Sequence, residues 1–455
     1  MKQIPDHATP LSFTPSRRTF LKGAAVVGLA ASAGTVPDRQ LEAEAAARAT
    51  RAADDNNALD LWTFVDTHAR WFKRRATEYQ KQINPSFRLT VRQQPGTAHH
   101  QKLLTVLQTG IGAPDLADVE QGSFGAFLKG TVPFQPLEPQ LKTGNYLKEL
   151  IPSREALYTW KGHIYGVEHA LTPVVLYYRH DIFQKYGIQP TSIKTWDDYI
   201  AAGKKLISHG IYMLPIDINY FELLLRQRGG DYFTKDGALV ADSPLAINTL
   251  QWLFDLKDKH KIGKVPLGLS IFANQYWGEV QKGVYATLIG ADWYAGFMSD
   301  NAAKASGTWR AMPLPVWPDD KAKRRTSCWG GTGLCIPVTT AKSKLAWDFL
   351  RFCLLTTQGE VEQYQMIQLW PPFSPAWSDK GLHAANAYFG GQDLGAIFAE
   401  VGGEVPPEYQ SPYRADFNTF VGADAPTLLT GKVTPAEFLK NETARTRAKM
   451  KQAGA

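Results

Sequence analysis

Residues 58–120 constrain the fold most, because three strand-like runs alternate there with two helix-like ones. "ALDLWTF" is an apolar strand, and "HARWFKRRATEYQKQI" then sets Ala69, Phe72, Ala76, Tyr79 and Ile83 at helical spacing. "SFRLTVRQ" alternates as a second strand, "HHQKLLTVLQTG" reads as a helix closed by Gly110, and "PDLADVE" is a short third strand. Strands joined through helices run parallel, so this segment predicts an α/β fold with a mostly parallel sheet covered by helices. Small molecules bind beyond the carboxyl ends of the strands in such sheets. Here those ends fall at residues 65–68 and 120–124.

What precedes this unit is an address. "SRRTFLK" at residues 16–22 is followed by the uncharged run "GAAVVGLAASAG", the pattern of a bacterial twin-arginine export signal. The apolar stretch over residues 23–33 is far below the ~20 residues a membrane span needs. Ala31 and Ala33 have the spacing a signal peptidase prefers, so residues 1–33 are read as a cleaved signal. Residues 34–57 are Ala-rich and charged, cannot bury a core, and read as a tether. Cys328, Cys335 and Cys353 lie far from the cleavage site, which points to the periplasm rather than a lipid anchor. "CWGGTGLC" would hold Cys328 and Cys335 ~20 Å apart if extended, so all three cysteines are read as free thiols.

The twin-arginine route carries chains already folded, often because a metal or organic cofactor went in first. The expectation here is nonetheless no cofactor and no metal: the sequence has no paired C-x-x-C, H-E-x-x-H, G-x-G-x-x-G after a strand, or P-loop. His99 and His100, the one adjacent histidine pair, read as a solvated start of a helix. Removing the signal lowers the net charge from +7 to about +4, and basic residues are scattered, so nucleic acid is not an expected partner. Thirteen tryptophans exceed what core packing asks for and suggest a carbohydrate-binding cleft.

Further along, Thr195 with Asp198, Ser243 with Pro244, and Thr434 with Pro435 and Glu437 mark helix starts. Strand-like "PVVLYYR", "YATLI", "WRAMPLPV" and "GLCIPV" lie between helical segments. Four stretches in order, "LLTVLQTGIGAPDLADVE", "WKGHIYGVEHALTPVVLYYRHDIFQKYGIQPTSIKTWDDYIAAGKKL", "QKGVYATLIGADW" and "LPVWPDDKAKRRTSCWGGTGLCIPVTTAKSKLAWDFLRFCL", resemble the family 1 extracellular solute-binding proteins of ABC sugar importers, the maltodextrin-binding type. Two departures stand out: Glu168 where that family usually has proline, and Arg179 where it usually has asparagine.

The resemblance implies a two-lobed, type II-like periplasmic-binding-protein fold whose chain crosses the hinge several times. Crossings are expected near residues 168–173, 327–329 and 374–378. The first lobe then takes residues 58–168 and 329–376, and the second takes 174–327 and 377–455. It implies a non-catalytic, monomeric receptor that closes on a carbohydrate with roughly micromolar affinity (~8 kcal/mol) and delivers it to the importer's transmembrane subunits. Matching family positions, Trp293 and Trp329 are expected to stack on sugar faces, and Glu120 and Asp66 to accept hydroxyl hydrogens. Tyr178, Tyr220, Trp277 and Trp370 are further candidates, and Glu168 either touches the ligand or braces the hinge. Two other readings stay open: a ferric-ion binder using Tyr177 and Tyr178, and a secreted glycoside hydrolase or lyase with the same aromatic cleft and two carboxylates.

Overall fold

The computed structural model describes residues 56–454; the expected signal and residues 34–55 of the tether lie outside the described residues. The opening segment folds as its pattern requires. Strand β1 (Ala58–Thr63) is followed by helix α1 (Asp66–Gln82), strand β2 (Arg88–Gln93), helix α2 (Gly96–Thr109) and strand β3 (Leu116–Glu120). β1 lies parallel to both β2 and β3. Two later strands, β4 (Val167–Glu168) and β8 (Thr332–Cys335), complete a sheet of order β2-β1-β3-β8-β4, with β8 antiparallel to its neighbours.

Helix α1 buries Ala69, Trp71, Phe72 and Tyr79. Ile83 departs from the expected stripe: the helix ends at Gln82 and Ile83 is an exposed C-cap. Arg75 is fully buried on the same face, its guanidinium donating to Glu362 at 2.7 Å and to the Phe352 carbonyl at 3.0 Å. Those bonds let a charged group replace the apolar side chain the pattern expects there.

The second lobe is built on an antiparallel sheet. Strand β5 (Val175–Arg179) lies between β6 (Thr287–Gly290) and β7 (Trp309–Met312). Helices α3 (Trp196–Lys204), α4 (Asn219–Gln227), α5 (Pro244–Asp258) and α6 (Asp292–Asn301) pack around it. Thr195 and Asp198 form a reciprocal capping box at α3, and Ser243 caps α5. The chain returns to the first lobe through β8, α7 (Ser343–Leu354) and α8 (Thr357–Ile367), which packs on α1. Near the end, α9 (Arg414–Leu429) packs against residues 121–128 of the first lobe, while α10 (Pro435–Gln452) packs on α9 and α5. Thr434 and Glu437 form the second capping box, at α10.

The passages between lobes lie side by side. Pro173 pairs antiparallel with Cys328, and the Val174 amide donates to the Ser327 carbonyl at 3.1 Å. The Leu171 amide donates to the Trp370 carbonyl at 2.7 Å. Residues 372 and 373 pair with 150 and 151 in the first lobe, whereas the Gln392 side chain bonds the Ala311 backbone in the second. The three cysteines are buried free thiols.

Candidate functional site

The site is built from the ends of strands that meet at these passages. Glu168 ends β4, where one carboxylate oxygen accepts from the Thr332 amide at 2.7 Å and the Ala170 amide at 3.3 Å. Its other oxygen is 3.2 Å from an Arg154 Nη, and both side chains are almost entirely buried. Arg154 also donates to the Gly330 carbonyl at 2.9 Å. Burial pushes the Glu168 pKa up to about 8, against the opposing pull of Arg154. Glu168 is thereby held by Thr332, Ala170 and Arg154.

Gly330 and Gly331 make that packing possible, with φ of 76° and 149°. A Cβ on Gly331 would overlap the Arg154 guanidinium and stand 2.8 Å from a Glu168 oxygen. Gly331→Ala is therefore expected to destabilise the fold by about 1–3 kcal/mol, read by urea unfolding. Wild-type stability in that variant would show that the guanidinium moves aside freely.

Trp293 is the second residue of α6, directly after β6, and Trp329 lies on the return passage. The Trp293 indole N–H donates to the Trp329 carbonyl at 2.9 Å, and the rings stand 4.8 Å apart. Tyr294, Phe272 and Tyr220 back Trp329 at 5.7, 5.8 and 6.5 Å. Trp293 and Phe272 are half-buried; Trp329 is almost buried and Tyr220 fully so. Phe272 sits in a loop with no periodicity, so no sequence pattern marked it.

Asp292 fixes this pair to the hinge. Its carboxylate accepts from the Trp293 amide at 2.8 Å and the Trp370 amide at 2.6 Å. Burial pushes its pKa up to about 7. Because the folded-state pKa is raised, its contribution to stability is full below the unfolded value near 3.8 and is lost as pH rises through about 7. Unfolding measured at pH 5 and pH 8 should show a smaller pH dependence in Asp292→Asn than in wild type. Equal pH dependence would contradict the assignment.

The other aromatic candidates are packed away. Trp370 is fully buried among Tyr364, Trp377 and Phe398. Trp277 packs on Tyr276, Tyr294 and Phe297. Tyr178 stacks on Phe183 at 5.0 Å, whereas the Tyr177 hydroxyl donates to the Ala291 carbonyl at 2.8 Å. The strand sends these neighbouring tyrosines to opposite faces, so the pair offers no joint metal site. Arg179 pairs with Asp181 at 2.6 Å, at the end of β5 remote from the hinge passage.

Glu120 ends β3 as expected and is partly buried. Its carboxylate caps the short turn that follows, accepting from the Ser123 amide at 3.1 Å. Burial pushes its pKa up to about 7, and the Glu222 carboxylate of the second lobe adds to the rise. Asp66 is the first residue of α1, exposed and 3.1 Å from Arg70; Val65, not Asp66, holds the N-cap position.

No sequence pattern marks the charge cluster behind Glu120. Arg226 and Arg414, both fully buried, meet Glu222, Asp231 and Glu408. The Gln121 side-chain amide, oriented with its nitrogen toward Glu408, joins the first lobe to this cluster, and Gln410 donates to the Gln121 carbonyl at 3.2 Å. Arg226 is bound wholly within the protein.

His99 and His100 correct another expectation: both are buried. α2 begins at Gly96, a turn before them, so the pair points inward. His99 bonds the Asp118 carbonyl at 2.8 Å, and His100 accepts from the Glu120 amide at 3.0 Å. Among the described residues, His68, Asp118 and His169 could together hold a metal ion. A shallow depression of about 410 Å³ near Tyr146, Trp347 and Arg351 is built from other elements than those carrying the tryptophan pair.

The bacterial extracellular solute-binding protein family matches residues 66–360, and the twin-arginine translocation signal sequence matches residues 14–34. The chain is 29% identical over 406 residues to the arabinooligosaccharide-binding protein of Halalkalibacterium halodurans, covering 87% of this chain and 90% of that one. It is 28% identical over 361 residues to the protein of the same description from Bacillus subtilis, covering 77% and 82%. In fold it is similar to the sugar-binding protein MalE from Xanthomonas citri, with a TM-score of 0.72 at 19% identity over 87% of this chain and 98% of that one. The two lobes, the multiple hinge passages and a family pattern running through most of both together establish that this chain belongs to the bacterial extracellular solute-binding proteins.

Proposed function

We propose that this protein captures an oligosaccharide between its lobes in the periplasm and delivers it to the transmembrane subunits of an ABC importer. As a member of its family it is a non-catalytic component of transport, which removes the hydrolase and lyase reading. The observation that carries the proposal is the Trp293–Trp329 pair at the hinge, half-open and backed by further aromatic rings. Sugars offer flat C–H faces to such rings and hydroxyl edges to carboxylates, a role open to Glu120. Arabinooligosaccharides are the first ligands to try, given what the two relatives are described as binding. The twin-arginine signal, with no cysteine at the expected cleavage site after Ala33, supports a free periplasmic protein.

Ligand bridging both lobes favours the closed form, which is the form an importer would read. A thermal-shift screen of residues 34–455 against mono- and oligosaccharides, uronides and ferric citrate tests the proposal. A saturable rise in melting temperature with a sugar is expected. A response to ferric citrate alone, or to nothing in the panel, would overturn it.

A further inference from the structure

We propose that His68, Asp118 and His169 form a binding site for one divalent transition-metal ion, of which zinc is the best match, inside the first lobe. The three come from separate segments: the first turn of α1, the middle of β3 and the residue after β4. No short motif links positions 68, 118 and 169, which is why sequence spacing showed nothing.

All three side chains are buried, and their candidate ligand atoms lie within 4.8 Å of one another. His68 Nδ1 is 3.2 Å from one Asp118 oxygen, and His169 Nε2 is 3.0 Å from the other. The second approach is too poorly aligned for a good hydrogen bond. Both His169 Nε2 and that Asp118 oxygen are buried without a hydrogen-bond partner despite the short separation. Neither atom has another partner, and a cation between the imidazole nitrogen and the carboxylate oxygen would satisfy both. Zinc binds imidazole nitrogen and carboxylate oxygen at about 2.0–2.2 Å, which sets neighbouring ligand atoms of a tetrahedron about 3.3–3.6 Å apart. The two histidine–aspartate approaches already stand near that spacing, and closing the remaining separation, at most 4.8 Å, completes the set.

The surroundings match a metal centre. Thr63 Oγ1 donates to Asp118 at 2.6 Å and orients the carboxylate. Trp71 and Phe72 pack on the His169 ring at 5.7 and 5.5 Å and keep water away. A site this enclosed is loaded while the chain folds, and the twin-arginine route exports chains that have already folded. The proposal thereby supplies what the export signal left without a reason: a metal acquired before crossing. Bound there, the ion would tie α1, β3 and the first hinge passage together directly beneath Glu120 and Glu168.

The full chain with its own signal, exported by a twin-arginine-competent bacterium and purified without a histidine tag or chelator, should carry about one equivalent of zinc by elemental mass spectrometry. Asp118→Asn and His169→Gln should each lower that by at least about tenfold. To separate metal loss from misfolding of those variants, wild-type protein unfolded in chelator and refolded with cobalt should also show the visible absorption of a tetrahedral N/O site, and refolding with zinc should raise its melting temperature. Metal-free exported protein with neither a cobalt spectrum nor a zinc-dependent rise would overturn the proposal. So would a well-folded variant that retains its full equivalent, since the metal would then lie elsewhere.

Discussion

Arg414→Ala is expected to cost about 3–5 kcal/mol of folding stability, measured by urea unfolding at pH 7. The magnitude follows from what the change would leave behind. Arg414 Nη atoms lie 2.6 Å from Asp231, 2.9 Å from Glu222 and 3.4 Å from Glu408, and its guanidinium also donates to the Tyr409 carbonyl. Asp231 and Glu408 are buried, so removing the arginine strands carboxylates in a medium that cannot solvate them. Burial already raises the Glu408 pKa, with Arg226 and Arg414 pulling the other way. The effect should also reach the hinge, because the cluster connects Gln121 in the first lobe to α4 in the second. Lys129→Ala is the matching control. Its pair with Asp416, at 3.2 Å, is half-exposed on the lysine side, and its loss should cost no more than about 1 kcal/mol. Similar costs for the two variants would contradict the account of the cluster.

Trp293→Ala should weaken sugar binding by about 2 kcal/mol or more, roughly a thirtyfold rise in Kd. Trp293 is the more exposed of the two paired rings, so it has face to offer a ligand while Trp329 supports it from beneath. Truncation removes that face and also the 2.9 Å bond from the indole to the Trp329 carbonyl. Trp293→Phe keeps a ring and loses only the bond, so its Kd should fall between wild type and the alanine variant. Trp277→Phe alters a tryptophan packed wholly within the core and should leave Kd close to wild type while lowering stability. An unchanged Kd in Trp293→Ala, with native stability, would remove the tryptophan pair from the site.

The parts of the fold visible in the sequence were those governed by local rules. The alternation over residues 58–120 foretold β1 to β3 with their helices, and the Thr195, Ser243 and Thr434 caps foretold three helix starts. Trp293 and Trp329 were marked by the family resemblance, and the structure brings them into contact. What escaped was decided by contacts distant in sequence. Trp277 and Trp370 look like any other tryptophans until the packing around them is known. The burial of Arg75 and Arg226 depends on Glu362 and Glu408, carboxylates that lie far along the chain, so no local pattern marks it. His99 and His100 read as solvated because α2 starts one turn earlier than the histidines suggest, which turns both inward. The His68, Asp118 and His169 grouping could not be seen until β3 and the hinge passage were placed beside α1.

Calorimetric titration of the mature protein, residues 34–455, with an arabinooligosaccharide series tests the central claim most directly. The account predicts one site per chain, a Kd on the order of micromolar, and a negative heat-capacity change as apolar ring surface is buried. No binding heat at several temperatures with these or any other oligosaccharide, from protein shown to be folded, would contradict it.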